Sequence, residues 1–294
     1  MINNDRMATD ALTPRDKLKY DITRSLSLIK LPTEVGIATM TVICDMDINF
    51  NAVNIARYVD ITNGRIVKVS HGRYGDPLTN RSIIPQKRTK KSKKQKKIFY
   101  NQVSVCVNVA SKLKKPINVK LFYNGSIQMT GCKTIENAID ALEQIFIELK
   151  KVKAIIDYKT MKIVEKPFVS SLDAVDLRNV RNIRVEMINS GFKVPFKIDR
   201  EKLYHKLLAD GFTCTYDPVV HACVNVKYNH PDKVISIFVF EKGSVLITGA
   251  KNCEHISLAY NFINIYLLKN HNQIVINDVM TNNNIINYLK KLKS

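Results

Sequence analysis

The sequence predicts an α+β fold built twice in tandem, and three observations carry that prediction. First, Lys120–Thr134 (KLFYNGSIQMTGCKT) returns as Phe238–Asn252 (FVFEKGSVLITGAKN). Phe122, Gly125, Thr130, Gly131 and Lys133 meet the same residue types at Phe240, Gly243, Thr248, Gly249 and Lys251, each 118 positions later. So many identities in one frame point to a diverged internal duplication. Second, each copy reads as a β-hairpin with a glycine turn whose second strand ends in T-G-x-K. Third, each hairpin is followed by apolar residues at helical spacing, Ala138, Ala141, Leu142, Ile145 and Leu149 in one copy and Ile256, Ala259, Tyr260, Ile263 and Leu267 in the other.

Taken in order, the first thirty residues are polar and of mixed charge, with one short helix expected near Lys17–Ile29. From Val35 the run GIATMTVIC alternates, with Ala38, Met40 and Val42 on one side and Ile37, Thr39 and Thr41 on the other. Asn49 or Asn51 suits the cap of a short helix through Val53, Ile55 and Val59. Residues 62–97 then carry Gly64, Gly72, Gly75, Pro77 and Pro85 and end in KRTKKSKKQKK, where eight of eleven residues are basic. Like charges with no apolar side do not pack, so this stretch is expected to be a solvated insertion. Val103–Ala110 reads as a strand, and Pro116 turns the chain into the first hairpin.

The second half repeats the order. Asn182–Ile188 reads as a strand, Asp199 caps the helix REKLYHKLLAD, and Gly211 ends it. FTCTYD and HACVNVKY follow as strands, and the quartet CVNV at Cys106–Val109 recurs at Cys223–Val226, 117 positions on. A short helix over Asn284–Leu292 closes the tail. The expected organisation is an N-terminal extension (1–34), a first half (35–150) with a basic insertion at about 62–98, a connector (151–179), a second half (180–272) and a tail (273–294).

With 294 residues and 45% hydrophobic content the chain can bury a sizeable core. Its formal charge of +20 favours polyanionic partners, nucleic acid or an anionic surface. The six cysteines include no C-x-x-C pair, so no zinc site is expected from them, and free thiols suit a reducing intracellular compartment. No apolar run reaches membrane-spanning length, and the polar N-terminus does not read as a signal peptide. Asp45 and Asp47 form D-x-D at a strand end, where a solvated turn outweighs an ion site. His221 and Cys223 share a strand face, but nothing supplies an oxyanion site, so neither catalysis nor a small-molecule substrate is expected. No metal and no cofactor is expected.

Each half thus reads strand, helix, four strands, helix. Two such halves, each with G-x-x-x-x-T-G-x-K before its last helix, resemble the TATA-box-binding protein family, and IFVFEKGSVLITGAK and FYNGSIQMTGCK are the most specific stretches. The resemblance covers roughly residues 35–150 and 180–270 and suggests a divergent member from a large DNA virus or a protist. It implies a saddle, one curved antiparallel sheet with helices on the convex side, whose underside binds the minor groove of AT-rich double-stranded DNA. That groove offers few hydrogen-bonding features, so its readers use apolar surface, a few amides and hydroxyls, and wedges that unstack base steps.

Carried over residue by residue, the resemblance places Phe122 and Phe240 at one wedge position of each half, with Ser104 and His221 at the partner position. Thr130 and Thr248, Gln128 and Leu246, and Phe238 match groove-facing positions. Asn182 matches a central asparagine whose first-half counterpart is Ile37 or Gly36; Thr39, Thr41 and Arg184 are further contacts, and Glu186 on the same face is not suited to DNA. Partners implied are a TFIIB-like factor and RNA polymerase, in a nucleus or, for a viral protein, a viral factory or virion.

Bland readings stand beside these: a strand phenylalanine packs in cores, threonine is a good strand former, and the glycines are structural. Lys87, Arg88, Lys90, Lys91, Lys93, Lys94, Lys96 and Lys97 form a DNA-backbone arm, an import-like signal or a solubilising loop. The rival functions are a sequence-nonspecific architectural or packaging protein on the same fold, and a nucleic-acid enzyme, against which the lack of a carboxylate cluster argues.

Overall fold

The computed structural model describes residues 12–26, 29–73, 76–85, 99–109 and 115–276. The chain divides into two compact units, one comprising residues 1–25 and 40–186 and the other 26–39 and 187–294. Both are α+β, an antiparallel sheet with helices on one face.

In the first unit the strands run β1 (Gly36–Asp45), whose residues from Met40 onward belong to it, β2 (Ile66–Ser70), β3 (Asn80–Ser82), β4 (Gln102–Val107), β5 (Ile117–Phe122) and β6 (Ser126–Cys132), in the spatial order β1-β6-β5-β4-β2-β3. Alternation puts Val103, Val105, Val107, Val119, Leu121, Ile127 and Met129 into the core. The helix Ile135–Leu149 seals that core with the five residues its spacing predicts, all buried. Thr134 caps it in a reciprocal arrangement with Asn137. Asn51 caps the short helix Ala52–Tyr58 by accepting from the Asn54 N–H.

The second unit has β9 (Arg181–Lys193), whose residues from Met187 onward belong to it, then β10 (Cys214–Thr215), β11 (Cys223–His230), β12 (Lys233–Phe240) and β13 (Ser244–Ala250), ordered β10-β11-β12-β13-β9. Asp199 caps Arg200–Ala209 through the Lys202 N–H, and Gly211 follows with φ +80. The helix Cys253–Lys269 buries Ile256, Ala259, Tyr260, Ile263 and Leu267 on the sheet, as predicted. This unit reproduces the predicted order of strand, helix, four strands, helix.

Two stretches depart from expectation. Residues 66–82 are not a solvated insertion: Ile66, Val67 and Val69 are buried, β2 pairs with β4, and β3 adds an edge strand. Arg81 fixes that edge by donating from Nε and Nη2 to the Ala56 and Val59 carbonyls at the end of the short helix, both at 2.8 Å. Flanking glycines and prolines hid a five-residue strand. The connector, in turn, holds a separate hairpin, β7 (Lys153–Asp157) with β8 (Lys162–Lys166). Its turn lacks glycine, and Met161 takes the left-handed conformation at φ 53. The basic block 87–97 and the tail helix 284–292 lie outside the described residues.

Candidate nucleic-acid interface

Pleating sends every second residue of these sheets away from the helices, and that helix-free face gathers most of the predicted site residues. In the first unit Phe122 stands opposite Gln102, and Lys120 lies between Ser104 and Gln128. Thr130 lies between Asn118 and Thr41. All are half-buried except Thr41, which is 7% exposed. The Thr130 hydroxyl donates to the Asn118 carbonyl at 3.3 Å.

In the second unit Phe240 faces Cys223, and Phe238 lies between Asn225 and Leu246. Thr248 lies between Ser236 and Asn189. Leu246 is 40% exposed beside Gly191, so an apolar side chain projects from the helix-free face. Thr39 joins this group because its Oγ1 accepts from Asn189 Nδ2 at 3.1 Å.

Each hairpin turn is clamped onto the chain that precedes its half's first helix. Gly125 O accepts from Met46 N at 3.0 Å, and Gly243 O accepts from Val194 N at 2.9 Å. Both glycines have positive φ, and a Cβ on Gly243 would fall 2.5 Å from the Val194 carbonyl oxygen. The clamp gives Phe122 and Phe240 the same position in their units, each beside a recess at its hairpin turn. One recess, about 430 Å³, is lined by Asn101, Phe122, Tyr123, Asn124 and Ser126. The other, about 510 Å³, runs from Arg200 and Ala222 past Phe240 to Leu246.

Other predicted residues lie elsewhere. His221 is not on a strand: it sits exposed in the turn before β11, with its N–H donating to the Asp217 carbonyl at 2.7 Å. The register makes Asn225, opposite Phe238, the counterpart of Ser104, opposite Lys120. The recurrence of CVNV is therefore not a structural equivalence: it sits four residues out of register with the sheet. Asn182 has φ 54, and its Nδ2 reaches Asp45 Oδ2 only at 3.5 Å. Arg184 is exposed, donates to the Asn182 carbonyl at 3.1 Å and lies 3.8 Å from Glu186. In the second unit Asn189, not Asn182, stands beside Thr248.

Sequence reasoning missed three amides on this face. Asn189 could have been found by counting strand parity back from Lys193. Asn118 and Asn225 each keep a buried Oδ1 without a hydrogen-bond partner among the described residues. Cys106, opposite Asn118, is the one half-buried cysteine; burial raises its thiol pKa, with Lys68 opposing. Arg200 was also missed: it bridges Glu241 at 2.8 Å, donates to the Ala222 carbonyl at 2.9 Å and lies over the Tyr216 ring, tying the turn that carries His221 to the Phe240 hairpin. Lys120 and Lys227 supply cationic nitrogen to the helix-free faces, and Lys227 donates to Ser236 Oγ at 2.7 Å. Asp45, which accepts from Ser126 Oγ at 2.7 Å, sets a carboxylate among them.

The chain is similar to known proteins. A family model described as "Transcription factor TFIID (or TATA-binding protein, TBP)" matches residues 182–270. A "TATA-box-binding protein-like" protein of Acanthamoeba polyphaga mimivirus is 36% identical over 256 residues, 82% of this chain and 67% of the relative. "TATA-box-binding protein 2" of Entamoeba histolytica is 27% identical over 157 residues, 53% of this chain and 61% of that protein. Among solved structures, Methanococcus jannaschii TBP is similar with a TM-score of 0.46 and 16% identity, covering 78% of this chain and 95% of that one.

Proposed function

The chain belongs to the TATA-box-binding protein family, and we propose that it is a non-enzymatic transcription initiation factor that grips the minor groove of AT-rich promoter DNA. The two helix-free faces, one per half, form the grip. Phe122 and Phe240 enter base steps as wedges and bend the duplex, while Thr130, Thr248, Thr39, Thr41, Gln128, Leu246 and Phe238 line the contact. The bend exposes a composite surface to a TFIIB-like factor and RNA polymerase, inside the cell compartment where the template is transcribed.

One observation carries this reading: a phenylalanine stands at the same clamped position on the helix-free face of both halves of a chain with a formal charge of +20. Unstacking a base step costs a few kcal/mol, least at flexible TA steps, and wider contact along the bent duplex offsets it. Amide groups at Asn118, Asn189 and Asn225 suit the acceptor-rich floor of A·T pairs.

The test is footprinting with a minor-groove probe and a fluorescence bend assay on AT-rich duplexes. Minor-groove protection with a bend is the expected result; absence of both overturns the proposal. Equal affinity for GC-rich and AT-rich duplexes in competition would instead establish a sequence-nonspecific architectural role.

A further inference from the structure

We propose that His230, Asp232 and His255 form a binding site for a divalent transition-metal ion, zinc being the ion their chemistry fits. His230 ends β11, Asp232 stands in the turn to β12, and His255 lies in the first turn of the helix Cys253–Lys269. Their linear spacing matches no metal signature; the fold brings them together. His255 Nε2 lies 3.4 Å and His230 Nδ1 3.7 Å from Asp232 Oδ2, and one donor atom of each residue lies within 4.8 Å of the others.

Ligands at about 2.0–2.1 Å around tetrahedral zinc stand roughly 3.3 Å apart, so the two contacts to Asp232 are near that spacing, while donor atoms up to 4.8 Å apart must close further and His230 Nδ1 must give up the Asp232 N–H that it accepts at 3.2 Å. Two imidazoles and one carboxylate suit zinc and its neighbours better than calcium or magnesium, which take oxygen ligands. The two imidazoles are enclosed, with ring centroids 4.3 Å apart, whereas the Asp232 side chain is 73% exposed. The fourth coordination position therefore opens to water.

Helix capping alone does not account for the cluster. His255 Nδ1 accepts from the Lys251 N–H at 3.3 Å, which is the duty of a capping residue in the first helical turn. In the first unit the same duty falls to Asn137, 118 positions earlier, whose Oδ1 accepts from the Lys133 and Thr134 N–H groups at 3.0 and 3.2 Å. Asparagine thus suffices for the cap. The imidazole adds a second nitrogen aimed at Asp232, with a second histidine beside it. Coordination through His255 Nε2 moves the ring proton to Nδ1 and releases the long contact to Lys251, while the ion ties the β11–β12 turn to the helix start.

The experiment titrates metal-free full-length protein with Zn²⁺ by calorimetry and with Co²⁺ by visible absorption, near neutral pH. His255→Asn installs the first unit's cap and so retains the fold; Asp232→Asn, at an exposed site, is the second variant. The expected result is one ion bound by the wild type with a raised thermal midpoint, no thiolate-to-cobalt charge-transfer band, and an affinity about tenfold or more lower in both variants. No binding by the wild type, unchanged affinity in both variants, or a thiolate band assigning the ion to cysteines would each overturn the site.

Discussion

Gly243→Ala separates two demands that the hairpin makes on one residue. Gly243 has φ +80, and an added Cβ would lie 2.5 Å from the Val194 carbonyl oxygen, 2.6 Å from that of Phe196 and 3.2 Å from Val194 Cγ2. Gly249, in the strand that follows, has φ +90, but its nearest such neighbour is the Val234 oxygen at 3.8 Å. Left-handed backbone costs an L-residue roughly 1–2 kcal/mol, and both alanine variants incur that. Gly243→Ala must also push the turn off the Val194–Ile198 segment. Gly243 O accepts there from Val194 N at 2.9 Å and Glu241 O from Ile198 N at 2.8 Å. Two backbone hydrogen bonds, at about 1 kcal/mol net each, bring the expected loss to roughly 3–4 kcal/mol, against roughly 1–2 kcal/mol for Gly249→Ala. Urea denaturation followed by circular dichroism measures both, with hydrogen exchange across β12–β13 assigning the loss to this unit. A Gly243→Ala variant no less stable than Gly249→Ala would refute the close-approach argument.

Four further outcomes are expected. Phe122→Ala and Phe240→Ala should each weaken binding to an AT-rich duplex roughly tenfold, since one base–aromatic stack is worth about 1–3 kcal/mol; the Phe240 change should cost more, as its recess also holds the apolar Leu246 where the first unit has Gln128, and thermal midpoints check that folding survives. Bound DNA should slow alkylation of Cys106 on the helix-free face, whereas Cys44 and Cys132, buried and with the latter's thiol pKa pushed up to about 12, stay unmodified in either state; an unchanged Cys106 rate at saturating duplex counts against the interface. Deleting Lys87–Lys97 should flatten the dependence of log affinity on log salt concentration, and an unaltered slope removes the arm from the contact. Asp176 accepts from the Arg178 side chain and N–H, which hold its pKa down at about 2. Because the folded value lies below the ordinary carboxylate value, its contribution to stability is complete above pH about 4 and is lost as pH falls toward 2; a carboxyl titration by NMR near the ordinary value would contradict this.

The legible parts of the chain were those where one local signal sufficed. Hairpin glycines, a cap at Asn49 or Asn51, the cap at Asp199, and the inward stripes of the two long helices each follow from spacing, and the structure has all of them, with Asn51 as the first cap. The strand β2 was hidden because its alternation, Ile66 and Val67 then Val69, is too short to outweigh the glycines and lysines around it. The β7–β8 hairpin was hidden because its turn is made by Asp157–Met161 without glycine or proline. The family resemblance puts Ser104 and His221 at one position, but the sheet register makes Asn225 the counterpart of Ser104, because the length of the turn before β11 is not read from a matched motif. Asn118, Asn189 and Asn225 join the face only through cross-strand register, and the histidine cluster only through the approach of the β11–β12 turn to a helix start. Both are non-local facts that no window of sequence contains.

Backbone geometry accounts for the glycines that the duplication retained. Positions fixed by backbone geometry are identical in both copies: Gly125 and Gly243 at the clamped turns, Gly131 and Gly249 at positive φ where the second strands end. No other residue meets those dihedrals without strain, so substitution there costs folding free energy in either unit. On the helix-free face the copies keep Phe122 and Phe240 and also Thr130 and Thr248, but part at the positions between: Lys120 against Phe238, Gln128 against Leu246, Asn118 against Ser236. At Lys120 and Gln128 the first face is polar where Phe238 and Leu246 make the second apolar. Phe122 and Phe240 hold equivalent positions in unlike surroundings, which is the reason their alanine variants should weaken binding unequally. On the proposed reading, a duplex that meets both faces is bound in one orientation rather than two, because the two faces differ at these side chains.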